Sequence, residues 1–340
     1  MLSEDLKNNL AVLVVLLAFG VSMRLMWRSP VWGVGMRRII RNRKAVICLV
    51  VLALFAIPAI LDSIQIASGT HGASQSVLQY LFNDVAHVAR ERTYSAPLSQ
   101  HEIGGAKARK LQSTHLIGTN GGGFDVLYLT LRGCRTAWIV GGFTLVIAIP
   151  IAIILGITSG YFGGWVDDVV QYLYVTLSSI PSILLLVSLM MVLGKGLLQI
   201  CIALAVTEWV GLARYLRGET LKNREKEYVL AARAMGVHPL QILWKHIFPN
   251  VFHLVVISAT LSFSGLVGYE AILTYLGVGV PRDFGSWGGM IDDARLELAR
   301  DPIVWWNFAM ASAALFILVL AANLFGDAVR DAFDPRLREG

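Results

Sequence analysis

Long apolar runs divide the chain, and most of them have the length of a membrane span. About 20 consecutive apolar residues cross a bilayer as a helix. These runs lack the two-residue alternation of a barrel strand, so helices are favoured. The pattern predicts an all-α polytopic membrane protein. The predicted spans are Leu10–Met23, Ala45–Leu61, Ala137–Gly160, Val169–Leu193 (with Pro181 kinking it), Leu197–Leu212, Val251–Leu276 and Trp305–Phe325.

Basic residues between the first two runs predict how the chain is oriented. A signal peptide would carry its positive charge before the apolar core and a small-residue cleavage site after it. Leu10–Met23 has its basic cluster after the apolar run and lacks such a cleavage site. The positive-inside rule places the cluster in the cytoplasm and the N-terminus outside. The alternative is an interfacial helix on the inner leaflet. The cluster comprises Arg24, Arg28, Arg37, Arg38, Arg41, Arg43 and Lys44.

Two polar stretches are expected on the outer side, the long segment from Asp62 and the loop Gly277–Asp301. Histidines in the first are spaced too widely for a metal site, and we expect solvated loop side chains. These are His71, His87, His101 and His115.

The segment Glu227–Asn250 is amphipathic and basic and lies between two predicted spans. Its first half predicts a helix that ends at Gly236, because glycine adopts the left-handed conformation cheaply. Pro239 suits the start of a second helix, and Pro249 is expected to stop it. The spacing places Tyr228, Ala231, Ala232 and Met235 on one helical face, and Leu240, Leu243, Trp244 and Ile247 on another.

With Leu230-Ala231-Ala232, Gly236 and His246-Ile247-Phe248-Pro249 in register, Glu227–Asn250 resembles the EAA loop of ABC-transporter permeases. Because the resemblance implies a role in coupling to an ATPase, the segment is here called the coupling segment. Further segments are similar to the C-type permease of dipeptide, oligopeptide and nickel importers. They are His115–Arg135, Tyr161–Asp167, 276–291 (LGVGVPRDFGSWGGMI) and 326–340 (GDAVRDAFDPRLREG).

The resemblance implies a six-helix type I importer core plus one extra N-terminal membrane helix. The implied division is 1–44 (extra helix and basic linker), 45–61 (first core helix), 62–135 (extracytoplasmic segment with an interfacial helix), 136–327 (permease core with cytoplasmic coupling loop 213–250) and 328–340 (cytoplasmic tail).

The same resemblance implies a role in an ATP-driven importer of the bacterial inner membrane, with the C-terminus cytoplasmic. The implied partners are a second related permease, two ATPase subunits, an external substrate-binding protein and the lipid bilayer. This chain would bind no cofactor, ATP and magnesium being held by the ATPases. The cargo class stays open among dipeptides, oligopeptides, nickel chelates, peptide antibiotics and sugars. The residues implied in ATPase coupling are Glu227, Tyr228, Ala231, Ala232, Met235, Gly236 and Pro249.

Composition agrees with a non-catalytic membrane subunit. The chain is 56% hydrophobic and 15% charged, and its net charge of +6 reflects topology rather than nucleic-acid binding. Cys48, Cys134 and Cys201 are odd in number and widely spaced, so they predict neither a disulfide framework nor a zinc site. No segment fits the phosphate-binding P-loop pattern, so ATP hydrolysis would belong to a partner.

Acidic residues leave two other classes open. Glu208 and Glu270 lie within predicted spans, where an ionisable group is costly and often faces a water-filled path. They are candidates for lining the translocation path, for structural hydrogen bonds, or for the proton sites of a secondary transporter. Asp167-Asp168 and Asp292-Asp293 raise the alternative of a magnesium-dependent intramembrane enzyme, although neither pair has an Asp-Asp-x-x-Asp pattern.

Overall fold

A computed structural model describes residues 30–67, 74–82, 91–103, 109–111 and 113–333, with isolated positions between 9 and 24. The predicted first span, Leu10–Met23, lies largely outside these residues, as do His71 and His87. Asn9, just before that span, bonds to the backbone of Gln65. Its amide nitrogen lies 2.7 Å from the Gln65 carbonyl, and its amide oxygen 2.8 Å from the Gln65 N–H.

The described chain is a helical bundle with one small hairpin. Strand β1 (Gln65–Ala67) pairs antiparallel with β2 (Ser74–Ser76). A π-helical turn covers Leu243–Ile247 and a 3₁₀ turn Arg282–Phe284. The helices are α1 Pro30–Arg41, α2 Arg43–Ser63, α3 Val77–Leu81, α4 Val126–Phe162, α5 Gly164–Ser178, α6 Ser182–Leu193, α7 Leu197–Arg224, α8 Glu227–Ala234, α9 Pro239–Ile242, α10 Phe248–Tyr275, α11 Trp287–Glu297 and α12 Trp306–Phe333.

The helical membrane fold predicted from the sequence is confirmed. Within the described residues five helices are long and apolar enough to cross a bilayer, or six if α5 and α6 together form one span. The prediction of a single kinked helix at Val169–Leu193 is wrong, because α5 and α6 meet at 92°. Pro181 precedes α6 with ψ of 126°, and since it lacks an N–H it cannot continue the hydrogen-bond ladder of α5.

Several helices extend into polar sequence beyond the predicted spans. Helix α4 begins at Val126, where the Asp125 carboxylate accepts the Tyr128 N–H. Helix α7 continues to Arg224 and α12 to Phe333. The stretch predicted as an outer loop contains α11, capped by the Ser286 hydroxyl. Apolar runs mark only the part of a helix that faces lipid or core, so they underestimate helices that project beyond the membrane.

Helices α4 and α7 cross at very short distance, because two glycines face the second helix. A β-carbon on Gly156 would lie 2.6 Å from the Ala213 carbonyl oxygen, and one on Gly160 would lie 2.7 Å from that of Arg217. Small residues spaced four apart allow such close backbone contact between membrane helices. Ala213 and Leu216 at this crossing belong to the same hydrophobic core cluster as Val229 and Ala232 of the coupling segment.

The bundle has two distinct ends. At one end, here called the basic end, lie the start of α2, the end of α4, α8 and the end of α12. Ala45 of α2 and Phe333 of α12 pack with Val256 of α10. Asn250 at the start of α10 donates to Tyr228 of α8, and the Arg224 guanidinium at the end of α7 donates to the Gly160 carbonyl at the end of α4. The other end, the loop end, holds the hairpin, the described residues between 91 and 125, and α11. Cations flank the helices chiefly at the basic end.

His115 corrects the expectation of solvated histidines. Its side chain is fully buried, with Nδ1 2.9 Å from an Asp125 carboxylate oxygen and Nε2 3.7 Å from one of Glu91. The chain around Thr119 packs on the bundle, because Trp306 of α12 donates its indole N–H to the Thr119 carbonyl at 2.9 Å. Only His101 among the described loop histidines is exposed.

Candidate functional site: the coupling segment

Helix α8 forms the first half of the coupling segment and presents two different faces. Val229 and Ala232 point into the core, and Ala232 is only 2% exposed. Tyr228, Ala231 and Met235 point outward, and Met235 is 76% exposed. The four residues predicted to share one face are therefore divided, with Ala232 on the internal side. Glu227 begins the helix, where a carboxylate interacts favourably with the helix dipole.

The turn after α8 depends on Gly236, as the sequence predicted. Its φ is +75°, a conformation that favours glycine. The Gly236 N–H bonds to the Arg233 carbonyl at 3.0 Å, and the Val237 N–H bonds to that of Ala232 at 3.1 Å. These bonds satisfy carbonyls at the end of α8 and reverse the chain toward α9.

The second half begins as predicted but does not end as predicted. His238 accepts the Leu240 N–H through its side chain at 3.3 Å, and Pro239 is the first residue of α9. Pro249 does not stop a helix, because the π turn leads directly into α10 and Pro249 lies in its first turn. The Phe248 N–H bonds to the Leu243 carbonyl five residues earlier, which is the spacing of a π turn.

The π turn also changes which side chains are exposed. Leu243 and Ile247 are buried, whereas Leu240 and Trp244, predicted on the same face, are each 52% exposed. Leu230, which belongs to neither of the two predicted faces, is exposed too. Together these side chains form an apolar surface that no described part of the chain covers, here called the docking surface. It comprises Tyr228, Leu230, Ala231, Met235, Leu240 and Trp244.

Specific contacts anchor the docking surface to three spans. The Tyr228 hydroxyl donates to Asn223 at the end of α7 (2.9 Å) and accepts from Asn250 at the start of α10 (3.3 Å). Burial raises the pKa of the Tyr228 hydroxyl, so it remains a donor at neutral pH. The Arg233 guanidinium lies 5.5 Å from the centre of the Tyr161 ring at the end of α4. Helix α8 is therefore in direct contact with the ends of α4, α7 and α10.

A partly buried ion pair between α5 and α7 lies near the basic end of the bundle. Arg217 donates two hydrogen bonds of 2.6 Å to the Asp167 carboxylate, which also accepts from Gln171 at 2.9 Å and from the Ser159 hydroxyl. Both oxygens of the Asp167 carboxylate are used by these hydrogen bonds, which indicates a structural role for Asp167. Asp293 of the second aspartate pair is bound to Arg282 at 3.1 Å. Over the described ranges, no group of three or more His, Cys, Asp or Glu side chains is arranged to hold a metal.

Glu208 lies in a cavity, as a group lining a path would. The cavity has a volume of about 280 Å³ and lies where α7 passes the break between α5 and α6. Its polar lining includes Ser178, Thr207 and Arg214 besides Glu208. Arg214 donates to the Ser178 hydroxyl at 2.9 Å, and the cavity lining therefore contains one acidic and one basic side chain.

Glu270 has a different environment. It is 1% exposed, and the Thr274 hydroxyl donates to its carboxylate at 2.9 Å. Ser286, the residue that caps α11, is a second hydrogen-bond partner. A second cavity of about 930 Å³ at the loop end is lined by Thr274 and Ser286, but not by Glu270 itself. This geometry favours the structural role for Glu270, joining α10 to α11, over a place on a path.

Comparison with known proteins agrees with these features. Residues 118–339 match the family described as "Binding-protein-dependent transport system inner membrane component". The chain is 36% identical over 225 residues to the oligopeptide transport system permease protein OppC of Bacillus subtilis (strain 168), covering 66% of this chain and 73% of that protein. It is 34% identical over 224 residues to the dipeptide transport system permease protein DppC of the same organism, covering 66% and 69%. A structure of the MetNI methionine ABC transporter in inward-facing conformations covers 61% of this chain and 95% of its own, at 24% identity and a TM-score of 0.43.

The helical spans, the anchored coupling segment and the matched family define a multi-pass membrane component of a transport system, not an enzyme. The chain belongs to the binding-protein-dependent transport system inner membrane component family. This confirms the family predicted from the coupling segment. It also disfavours the alternatives of a secondary transporter and a magnesium enzyme.

Proposed function

We propose that this chain is one permease subunit of an ABC importer for peptides or similar small solutes, moved by ATPases that bind its docking surface. The observation that carries the proposal is an exposed apolar surface joined by short contacts to the ends of three spans. Exposed apolar patches beside a polar surface are typical of protein interfaces. The relatives named for oligopeptide, dipeptide and glutathione transport support the cargo class.

The proposed orientation places the basic end in the cytoplasm, and with it the coupling segment and the C-terminus. The positive-inside rule supports this, because cations flank the helices at that end. The bonds between Asn9 and Gln65 place Asn9 beside the loop end, which supports an N-terminus outside and the extra membrane helix in residues 1–44. The loop end would then face an external substrate-binding protein.

The proposed assembly contains a second, related permease and two ATPase subunits that hold ATP and magnesium. Co-purification tests it: the tagged chain expressed with its neighbouring transport genes should retain an ATPase, and ATP hydrolysis should be absent from the chain alone. The proposal fails if the chain alone transports in vesicles without ATP.

A role in the translocation path is proposed for Glu208. The Glu208→Gln variant keeps the side-chain shape but removes the charge from the cavity, so we expect uptake of a cationic peptide to fall severalfold with unchanged membrane levels. Radiolabelled-peptide uptake in cells measures this. Glu270→Gln is the control, since an amide can still accept from Thr274 and Ser286, and its uptake should match wild type. Equal uptake by both variants would remove Glu208 from the path.

A further inference from the structure

Five cations cluster where α1 meets α2, on a part of the chain that precedes the matched family segment. All are exposed: Arg37, Arg38, Arg41, Arg43 and Lys44. The ion pairs formed among the described residues use other cations, namely Arg132, Arg135, Arg217, Lys222, Arg224, Arg282, Arg295 and His115. The positive-inside rule accounts for the side of the membrane on which this cluster lies, but it names no ligand for the cations.

The fold holds the cluster in place. Ile39 on the inner face of α1 packs against Val329 and Phe333 of α12. Gly35 meets the Phe333 ring so closely that a β-carbon would lie 2.3 Å from it. Asn42 separates α1 from α2 with an extended backbone, and its side chain caps α2 by accepting from the Lys44 and Ala45 N–H groups. Helix α1 is therefore docked against α12 with its cationic face outward.

A stripe of exposed apolar side chains begins directly beyond the cluster. Ile47, Val50, Leu54 and Ile57 of α2 are each more than half exposed. Their spacing of three, four and three places them along one helical face. Arg43 lies four residues before Ile47 and so at the start of the same stripe. This combination matches one amphiphile, with an anionic headgroup at the cations and acyl chains along the stripe.

We propose that the corner between α1 and α2 binds an anionic phospholipid of the inner leaflet. The phosphate contacts the cluster, and the acyl chains lie along Ile47, Val50, Leu54 and Ile57. Clusters of four to eight cations beside a membrane helix attract anionic lipid at roughly fivefold in affinity per charge. A free phosphate would gain nothing from the apolar stripe, and an acidic protein surface would leave the stripe uncovered. The lipid satisfies both features.

The test is native mass spectrometry of the detergent-purified full chain, titrated with phosphatidylglycerol or with phosphatidylcholine of the same acyl chains. We expect wild type to prefer phosphatidylglycerol. The triple variant Arg37→Gln, Arg41→Gln, Arg43→Gln should lose that preference by roughly tenfold or more, with phosphatidylcholine binding unchanged. The control Lys195→Gln, Lys226→Gln, Lys245→Gln removes three exposed cations elsewhere and should behave as wild type.

Three outcomes overturn the proposal. Equal loss in both triple variants would indicate a general charge effect. Displacement of the lipid by excess inorganic phosphate would indicate a site for small anions. Absence of phosphatidylglycerol from the complete complex, with a partner protein cross-linked to α1 instead, would indicate a protein occupant. A misfolded triple variant would be recognised by loss of phosphatidylcholine binding and by an altered elution volume. In that case the charge-preserving variant Arg37→Lys, Arg41→Lys, Arg43→Lys tests the proposal, because it should retain the preference for phosphatidylglycerol.

Discussion

Replacing Ala231 with glutamate should lower peptide uptake at least tenfold while leaving the folded protein in the membrane. Ala231 is exposed at the centre of the docking surface, and glutamate is a good helix former, so α8 should persist. In the importer proposed above, however, the new carboxylate would be buried without a partner against the ATPase, which is strongly unfavourable. Labelled-peptide uptake in cells, with immunoblots of the membrane fraction, measures both quantities.

The neighbouring residue provides the matched control. Ala232 is buried against the core of the same subunit, so Ala232→Glu should reduce the amount of folded protein itself, measured by elution after detergent extraction. Ala231→Ser, which stays small, should transport normally. Uptake by Ala231→Glu at the wild-type rate would refute the docking surface. Loss of folded Ala231→Glu protein would show that Ala231 faces its own subunit.

Replacing Gly156 with valine should prevent α4 and α7 from packing at their native distance. The new β-carbon would lie 2.6 Å from the Ala213 carbonyl oxygen and 2.9 Å from the Leu216 β-carbon, and backbone cannot move aside as a flexible side chain does. Overpacking of this kind costs about 1–3 kcal/mol or more, a large part of the roughly 5–15 kcal/mol that stabilises a typical protein. We expect a lower melting temperature in detergent and a smaller folded yield.

Gly142 on the same helix isolates the packing effect. A β-carbon at Gly142 meets no atom within 4 Å, so Gly142→Val changes helix propensity by the same amount without a clash. It should melt close to wild type. Equal melting temperatures for the two valine variants would mean that α4 and α7 do not approach as closely as described.

The coupling segment shows how far local sequence reasoning reaches. Gly236 and Pro239 were placed correctly, because a left-handed turn and a helix start are properties of the local backbone. The prediction that Pro249 stops a helix is wrong, because a π turn leads directly into α10 and its residues Leu243 and Ile247 are buried against segments distant in sequence. The face of α8 was assigned only in part, since Ala231 and Ala232 are chemically identical and spacing cannot tell which one the bundle covers.

The membrane charges show the same division. Glu208 and Glu270 can be recognised from the sequence, because an ionisable side chain within an apolar span is energetically costly. Their surroundings come from residues distant in sequence. Ser178 and Arg214 share the cavity of Glu208, whereas Thr274 and Ser286 enclose Glu270. The prediction of a solvated His115 is wrong for a similar reason, because Glu91 and Asp125 come close to its ring only in the folded structure.

The sequence by itself determined the helical membrane fold, its family and the basic end, because apolar length, turn residues and flanking charge act locally or through the solvent. Only the tertiary structure decided the 92° break at Pro181, the close crossing at Gly156 and Gly160, and the exposed side of α8. Each of those depends on which helix lies opposite, and contacts between distant segments leave no periodic signal in the chain.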